Sequence, residues 1–481
     1  MNHGINHSTM DPKLHDTVDV VSLEQRVTDD KEHGAGEPVR VLDHKLERRI
    51  CWKFDIRILP LITVMYLFNA LDKGNISNAK TDKLDVDLGI KGQQWNNMLS
   101  IFYIPFVLCA FPLSLLIKRY NAANVIPCLM FTFGSITLLA ACRVGVQLRL
   151  AHGGEMLARR LSIFYAAANI ANAFSGLLAF GLFQIKTERL HGWQILFLVE
   201  GGATVIVAVF AFFYLPRTVE KAAFLTEEER ECAIWRIRTD SSSLSTEKVS
   251  LMDAIKVFKH PVAIAWMFEE IFIGVPLNSI NNWFPQIIES LGKGTVMTNL
   301  YTVAPNVWGA VALIFWCFAS DLLRVRSIFI VLAVASTLIG FVVFGCIDTQ
   351  AHIGVAYFSC FLMTTGSSAS SVLTSTWYNN NTPNENRRVV ISAVGVPLAN
   401  AAGLISTNIF RAKDAPKYVP ALGITAGFGG AAIIAVTSIL TFMVLDNRRR
   451  NRAQGVSWTY RDVPTYLLAE GPSNPNYRWM Y

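Results

Sequence analysis

Residues 159–173 read RRLSIFYAAANIANA, and residues 387–401 read RRVVISAVGVPLANA. Each stretch opens on an arginine pair, runs eleven residues further, and reaches an asparagine set between alanines, Asn172 or Asn400. Each lies along a ladder of small residues at every fourth position. In one the rungs are Ala167, Ala171, Ser175 and Ala179; in the other they are Gly395, Ala399, Gly403 and Thr407. Positions four apart share one face of a helix. Small residues there let helix backbones approach closely in lipid, where packing and not hydrophobicity drives association. One ladder could be chance in an alanine-rich helix. Two, each behind an arginine pair and a matched asparagine, predict a chain built from two related halves.

Working outward, the chain of 481 residues is 52% hydrophobic and only 16% charged, with a mean hydropathy of +0.35. Ordinary soluble domains carry about 25% charged residues. Apolar runs long enough to cross a bilayer as helices fall near 56–75, 95–117, 124–142, 161–184, 194–215, 262–288, 302–320, 327–347, 354–378, 389–410 and 421–445. Eleven spans are therefore expected, apolar all round, which a single soluble core does not accommodate. The expected class is an all-α membrane protein.

The organisation follows from polarity. Residues 1–50 hold ten acids, seven bases and five of the nine histidines, and read as a solvated, disordered tail with no metal site. No secretory signal precedes the first apolar run. Residues 51–215 form a first group of five spans and 261–446 a second group of six. Between them, 216–260 carries eight bases and eight acids. Two surface helices are expected there, each opened by a capping-box pattern, Thr226 with Glu229 and Ser250 with Asp253. A further tail runs over 447–481. Lys45, Arg48, Arg49 and Lys53 precede the first span, and Arg448, Arg449, Arg450 and Arg452 follow the last. The positive-inside rule places both tails and the central loop in the cytoplasm. The net charge of +7 is spent at helix ends and implies no nucleic-acid partner. Cys109, Cys128, Cys142, Cys317, Cys346 and Cys360 sit in or beside apolar runs without paired spacing. They read as small core residues and not as disulfides.

The repeat exposes a deficit. Arg387 lies 41 positions beyond Cys346, but Arg159 lies only 17 beyond Cys142. The missing 24 residues correspond to about 36 Å of helix, roughly one membrane crossing. The second half fills this interval with the run 354–378. The first half offers ACRVGVQLRLAHGGEMLARR, residues 141–160, with four arginines and a glutamate. Six crossings return a chain to its starting face and five do not. This stretch must therefore cross as a broken, water-exposed segment, or the first three helices must invert.

Several stretches resemble the major facilitator superfamily, specifically its fungal anion:cation symporter branch of allantoate, nicotinate and pantothenate permease-like proteins. They are KFDIRILPLITVMYLFNALDKGNISNAK at 53–80, GWQILFLVEG at 192–201, FLTEEER at 224–230, SDLLRVR at 320–326, STWYNNNTPNENRR at 375–388 and the final GPSNPNYRWMY. The resemblance runs from about Lys53 onward. It implies two pseudo-repeated helical halves, here with eleven helices in place of twelve because most of the fourth is absent. Lys73 stands where that branch usually has arginine, keeping the charge but losing the bidentate fork.

Intramembrane polar groups are the candidates for function. Tyr66, Asn69 and Lys73 form a stripe at helical spacing, with Asp72 beside it. They either face a central cavity or pair among themselves at the surface; the resemblance favours substrate binding, with Lys73 the counter-charge for an anion. Glu269 and Glu270 lie deep in a later span. Neighbouring helical positions differ by about 100°, so at most one can face a cavity squarely. A desolvated glutamate suits a proton carrier, whereas the plainer role is a hydrogen bond to a neighbouring helix. Asn278, Asn281 and Asn282 suit a polar substrate or interhelical hydrogen bonds equally well. Glu200 is expected to hold helices together. Lys118 and Arg119, and Asp321, Arg324 and Arg326, lie in short loops that resemble gating latches of the superfamily. Simple positive-inside charge would explain those bases but not Asp321.

No phosphate-cradling loop, metal-ligand cluster or nucleophile motif is present, so a pump or membrane enzyme is not expected, nor any cofactor. The expected function is proton-coupled symport of a small organic anion, such as a carboxylate vitamin or ureide, by alternating access. A monomer in the plasma membrane is expected, with the solute, protons and the lipid bilayer as partners. A non-transporting receptor of the same fold, or an inactive product lacking the fourth helix, would show the same composition.

Overall fold

The computed structural model describes residues 44–90, 93–101, 103–104, 120–141, 158–185, 187, 190–218, 222, 224–242, 255–382, 384–460, 462–463 and 471–481. The fold is all-helical. In chain order come α1 (His44–Arg57), α2 (Leu59–Thr81), α3 (helical at 94–101 and 103–104), α4 (Ala122–Ala141), α5 (Ala158–Leu182) and α6 (Gly192–Tyr214). After the central loop helix α7 (Glu227–Ser242) follow α8 (Pro261–Glu289), α9 (Thr295–Leu323), α10 (Ser327–Cys346), α11 (Ile353–Asn380), α12 (Glu385–Ile409) and α13 (Val419–Gln454). Among the described residues six helices are long and apolar enough to cross a membrane on length and composition: α6, α8, α9, α10, α12 from Val390, and α13. The others of that length, α2, α4, α5 and α11, are the more polar or less completely described ones. With the described part of α3, each of the eleven expected spans contains helix among the described residues.

The repeat is visible in the packing. α2 packs on α5 and α6, as α8 packs on α12 and α13. α4 packs on α6, as α10 packs on α13. The small-residue ladders make these approaches possible. A side-chain carbon on Gly274 of α8 would lie 2.3 Å from the Ala399 carbonyl of α12. On the other ladder Ser175 takes a hydrogen bond from Asn78 of α2 at 2.7 Å. One helix of the second half has no counterpart among the described residues: α11, which packs against α9, α10 and α8.

The two ends of the bundle differ. At the far end lie the junctions after α2, α5, α8 and α10; at the tail end lie α1, α7 and residues 471–481. Ser175 beside Asn78 sets α5 parallel to α2, and Gly192 lies against Phe183 and Asp82 at the far end. α4 runs antiparallel to α6, with Gly134 beside Thr204 and Gly201 beside Leu138. Ala141 therefore lies toward the far end. Ala158, about 36 Å down α5 from Leu182, lies at the tail end. The first helices are not inverted. The linking residues 142–157, which carry the deficit, lie outside the described residues. Sixteen residues reach about 53 Å when extended, ample for the axial gap of about 25–30 Å.

Two expected boundaries move. Helix starts at His44, inside the expected tail 1–50, because Leu46, Ile50 and Phe54 have an apolar partner in Phe224, Leu225 and Ala233. Lys53 Nζ donates to Glu229 at 2.6 Å and Arg49 lies 3.6 Å from it. The Lys53 ammonium, and behind it the Thr226 amide, hold the Glu229 carboxyl below the usual glutamate range. The Thr226–Glu229 capping box forms as its spacing predicts; Ser250 and Asp253 lie outside the described residues.

The second correction concerns residues 447–481. α13 continues to Gln454, and the final residues pack into the tail end of the second half. Tyr477, Arg478 and Trp479 are buried. Two asparagine side chains hold this strap by pairing with its backbone in both directions. Asn381 donates to the Met480 carbonyl at 2.9 Å and accepts its amide at 2.8 Å; Asn447 does the same for Trp479 at 3.0 and 2.9 Å. Trp479 sits among His260, Trp266, Phe442 and Tyr477.

Candidate functional site

The halves touch through the far end. α2 meets α8 where Ser77 Oγ donates to the Asn282 carbonyl and Gln286 Nε2 to the Ser77 carbonyl, both at 2.8 Å. α2 meets α9 where Asn299 Nδ2 donates to Thr81 Oγ1 at 3.0 Å. α3 meets α12 where Asn96 Nδ2 donates to the Phe410 carbonyl, and where Ser100 and Thr407 share a hydrogen bond, each at 2.8 Å. The Trp283 ring stacks on Phe410 at 5.0 Å, with the Lys80 ammonium 4.3 Å from its centroid. One apolar cluster includes residues of both halves there, among them Trp95, Trp193, Trp283 and Phe410. Toward the tail end the clusters separate. Leu61, Met65, Met130, Ala208 and Ala211 belong to the first half alone, while Trp266, Leu313, Trp377 and their neighbours belong to the second. This geometry is closed at one end.

At the lower edge of the closed region stands Tyr103, fully buried on α3. Its hydroxyl donates to Asn278 Oδ1 at 3.1 Å and accepts from Asn282 Nδ2 at 2.6 Å. Its ring lies on the bare backbone of Gly403, where an added side-chain carbon would fall 2.1 Å from ring carbon Cζ. The Lys73 ammonium lies 5.8 Å from the centroid of the same ring, a cation–π distance. The sequence gives no motif for Tyr103. It is an aromatic residue in an apolar run, and only the partner glycine of the second ladder hints at a close approach.

The expected site residues divide accordingly. Tyr66, Asn69 and Lys73 share α2, and Lys73 is the one that reaches Tyr103. Asp72 turns away to α6 and accepts from Thr204 Oγ1 at 3.3 Å, so it neither joins the stripe nor pairs with Lys73. Asn278 spends its amide hydrogens on the Gly274 and Ala399 carbonyls at 2.8 and 2.9 Å. With Asn282 it holds Tyr103, so these two asparagines serve the interhelical alternative. Asn281 accepts from Asn172 of α5 at 3.5 Å.

Glu269 and Glu270 are both fully buried against α11. Thr374 Oγ1 donates to Glu269 Oε1 at 2.8 Å, and Ser375 Oγ to Glu270 Oε1 at 3.4 Å. Adjacent acids meet adjacent hydroxyls, so both find partners on one helix despite the angle between them. The second oxygen of Glu269 accepts no hydrogen bond among the described residues, and the Tyr378 hydroxyl also faces Glu270. Of the latch candidates, Asp321 pairs with Arg326 at 2.5 Å across the α9–α10 turn, within one half. Arg326 also donates its amide to the Tyr481 carbonyl at 2.9 Å. Arg324 is exposed in a left-handed turn (φ 55°). Lys118 and Arg119 lie outside the described residues. Among those described, no group of histidine, cysteine or carboxylate side chains has the arrangement of a metal site.

Residues 148–407 match the family model of the Major Facilitator Superfamily. An uncharacterized transporter of Schizosaccharomyces pombe is 56% identical, with 93% of each chain covered. The high-affinity nicotinic acid transporter of Saccharomyces cerevisiae is 26% identical, covering 91% of this chain and 86% of its own. The first alignment extends over 476 positions yet takes up only about 447 residues of this chain, so about 29 positions face gaps here. For the second the same difference is about 34. Among solved structures, a D-xylose-proton symporter superposes with a TM-score of 0.59 at 13% identity, over 80% of this chain and 97% of its own, a likeness of fold alone. With the family model matched over more than half of the chain and this degree of identity to a transporter over nearly its full length, the chain belongs to the Major Facilitator Superfamily.

Proposed function

We propose that the chain is built as a proton-coupled importer of a small organic anion, of the fungal anion:cation symporter branch. The carrying observation is Lys73, a cation inside the membrane-spanning bundle, directly below the closed contact between the halves. An intramembrane charge is retained for a purpose, and a carboxylate is the complementary substrate. The distant likeness to a nicotinic acid transporter supports that class. Tyr66, Asn69 and Asn281 supply polar contacts, and Glu269 and Glu270 carry the proton. Asp72, Asn278 and Asn282 act beside the site, the last two through Tyr103. Asp321, Arg324 and Arg326 act as a gating latch at the tail end as the halves rock, and Lys118 and Arg119 take a gating role as well.

In this reading the tail end is cytoplasmic, as the basic flanks require, and the structure is the inward-facing state of a plasma-membrane monomer. The functional units are a first half near 51–215, a central cytoplasmic loop near 216–260 and a second half near 261–446. Uptake of labelled nicotinate into proteoliposomes, with and without an imposed pH gradient, tests the proposal. Accumulation that follows the gradient is expected, and gradient-independent or absent accumulation refutes it.

A specific observation favours a second reading for this form of the chain. The repeat deficit of 24 residues, the α11 helix without a counterpart and the gaps of about 29 positions agree in size and support the absence of the fourth helix. Such a chain would insert but transport poorly. Uptake should then appear only when the corresponding segment of a relative is placed between residues 142 and 158. Robust uptake by the 481-residue form refutes this reading.

A further inference from the structure

Lys80 stands at the far end of α2 with its ammonium between two tryptophan rings. It lies 4.9 Å from the centroid of Trp95 on α3 and 4.3 Å from that of Trp283 on α8. The ring faces attract a cation so placed. Trp95 belongs to the same half as Lys80. Trp283 belongs to the other half, where Phe410 backs it at 5.0 Å and Tyr418 at 5.9 Å. Asp85, just beyond α2, and Glu289, at the end of α8, are the acids whose charge reaches Lys80.

Seven positions separate Lys80 from Lys73, about 20° short of two helical turns. The two lysines therefore share one face of α2, about 10 Å apart along it. What covers that face comes largely from α8. Ser77, between the lysines, donates to the Asn282 carbonyl, and Gln286 donates to the Ser77 carbonyl. Asn282, Trp283, Gln286 and Glu289 all belong to α8, so parting the halves at the far end withdraws them together. Lys80 then loses Trp283 and Glu289 and keeps Trp95 and Asp85. A freed ammonium at the mouth of the opened path is a carboxylate partner, and a charge there focuses anions toward the path.

We propose that Lys80 is an outer anion site, freed only when the halves part, that captures a carboxylate and passes it down α2 to Lys73. The anion and Trp283 compete for the same ammonium, so the far end closes only after the anion has moved inward. The proposal rests on the anion-import reading above and adds to it the residue that meets the solute first.

The test uses the full chain in sealed vesicles with the far end outside. A membrane-impermeant amine-acylating reagent is added, and acylation of Lys80 is read by mass spectrometry of its peptide. It should be slow in the wild type and several-fold faster in Trp283→Leu. Tyr103→Phe should accelerate it as well, opening the same end without touching Lys80. Nicotinate should then slow acylation saturably, in Lys73→Ala too, and neutral nicotinamide should not. For labelled nicotinate added outside, Lys80→Gln should slow association and dissociation together by several-fold, and Lys80→Arg should restore both. If the wild type binds no nicotinate, the anion reading fails and this site with it. If nicotinate binds yet leaves Lys80 acylation unchanged, or if acylation is equal in the wild type and both opening variants, the outer site alone is overturned.

Discussion

Replacing Tyr103 by phenylalanine removes one oxygen from the contact between the halves and leaves the ring on Gly403. Two hydrogen bonds disappear, the one to Asn278 at 3.1 Å and the one from Asn282 at 2.6 Å. Both asparagines are buried, so their freed groups have little access to water. Each lost bond contributes about 0.5–1.5 kcal/mol. The closed far end should therefore lose roughly 1–3 kcal/mol against the open one, a shift of about 5- to 150-fold in the conformational equilibrium. Gly403→Ala acts in the same direction and more strongly, because the added carbon would sit 2.1–2.6 Å from three ring atoms and the ring must leave. The assay places one cysteine at Thr407, fully buried and facing Ser100 across the halves, in a chain without other cysteines. A membrane-impermeant maleimide is then added from the far-end side. Labelling should accelerate with Tyr103→Phe and further with Gly403→Ala. Unchanged labelling in both would refute the view that Tyr103 latches the halves together.

Lys73→Ala should leave insertion intact and lower anion affinity at least about 30-fold, the equivalent of ~2 kcal/mol, measured by labelled-anion binding. Of Glu269→Gln and Glu270→Gln, one should make uptake independent of the pH gradient and the other should chiefly lower the folded yield, because the new amide brings two N–H donors into a fully buried place; gradient-dependent uptake in both places the proton site elsewhere. Docking of α1 on α7 should depend on pH. The Glu229 carboxyl is held below its ordinary range by Lys53, so its contribution is present above the unfolded pKa of about 4.3 and is lost as pH falls through the lower folded value. Glu229→Gln should remove that dependence and speed hydrogen exchange in 44–57 at neutral pH.

The spans were legible because twenty apolar residues have few other uses, and the ladders because close helix contact restricts side-chain size. The short interval between Cys142 and Arg159 was legible because both of its flanking signals are local. The capping box at Thr226 was readable because it is local. Orientation was not. Asp72 and Lys73 are neighbours in sequence, yet one faces α6 and the other Tyr103, and no local feature says which way α2 is turned. Tyr103 meets its glycine 300 positions later in the chain, a distance over which composition says nothing. The strap at 471–481 looked like a polar tail because asparagine, proline and glycine dominate it; its aromatic ending, YRWMY, was the unused signal.

The core shared between the two halves bears on how the protein is made. The second half carries its own core, with Trp266 against both Trp377 and Trp479 and the strap fastened over them. Among the described residues the first half's private cluster has five buried members, and others, from Ala79 to Trp193, belong to the cluster shared with the second half. Ribosomes deliver the first half before its partner exists. It must wait in the membrane without the Asn282 carbonyl that the Ser77 hydroxyl meets until α8 arrives. Biogenesis is then a matter of timing, with the newborn first half dependent on insertion chaperones and open to membrane proteases. Expressed as separate pieces, the second half should persist by itself, and the first should survive only in its company.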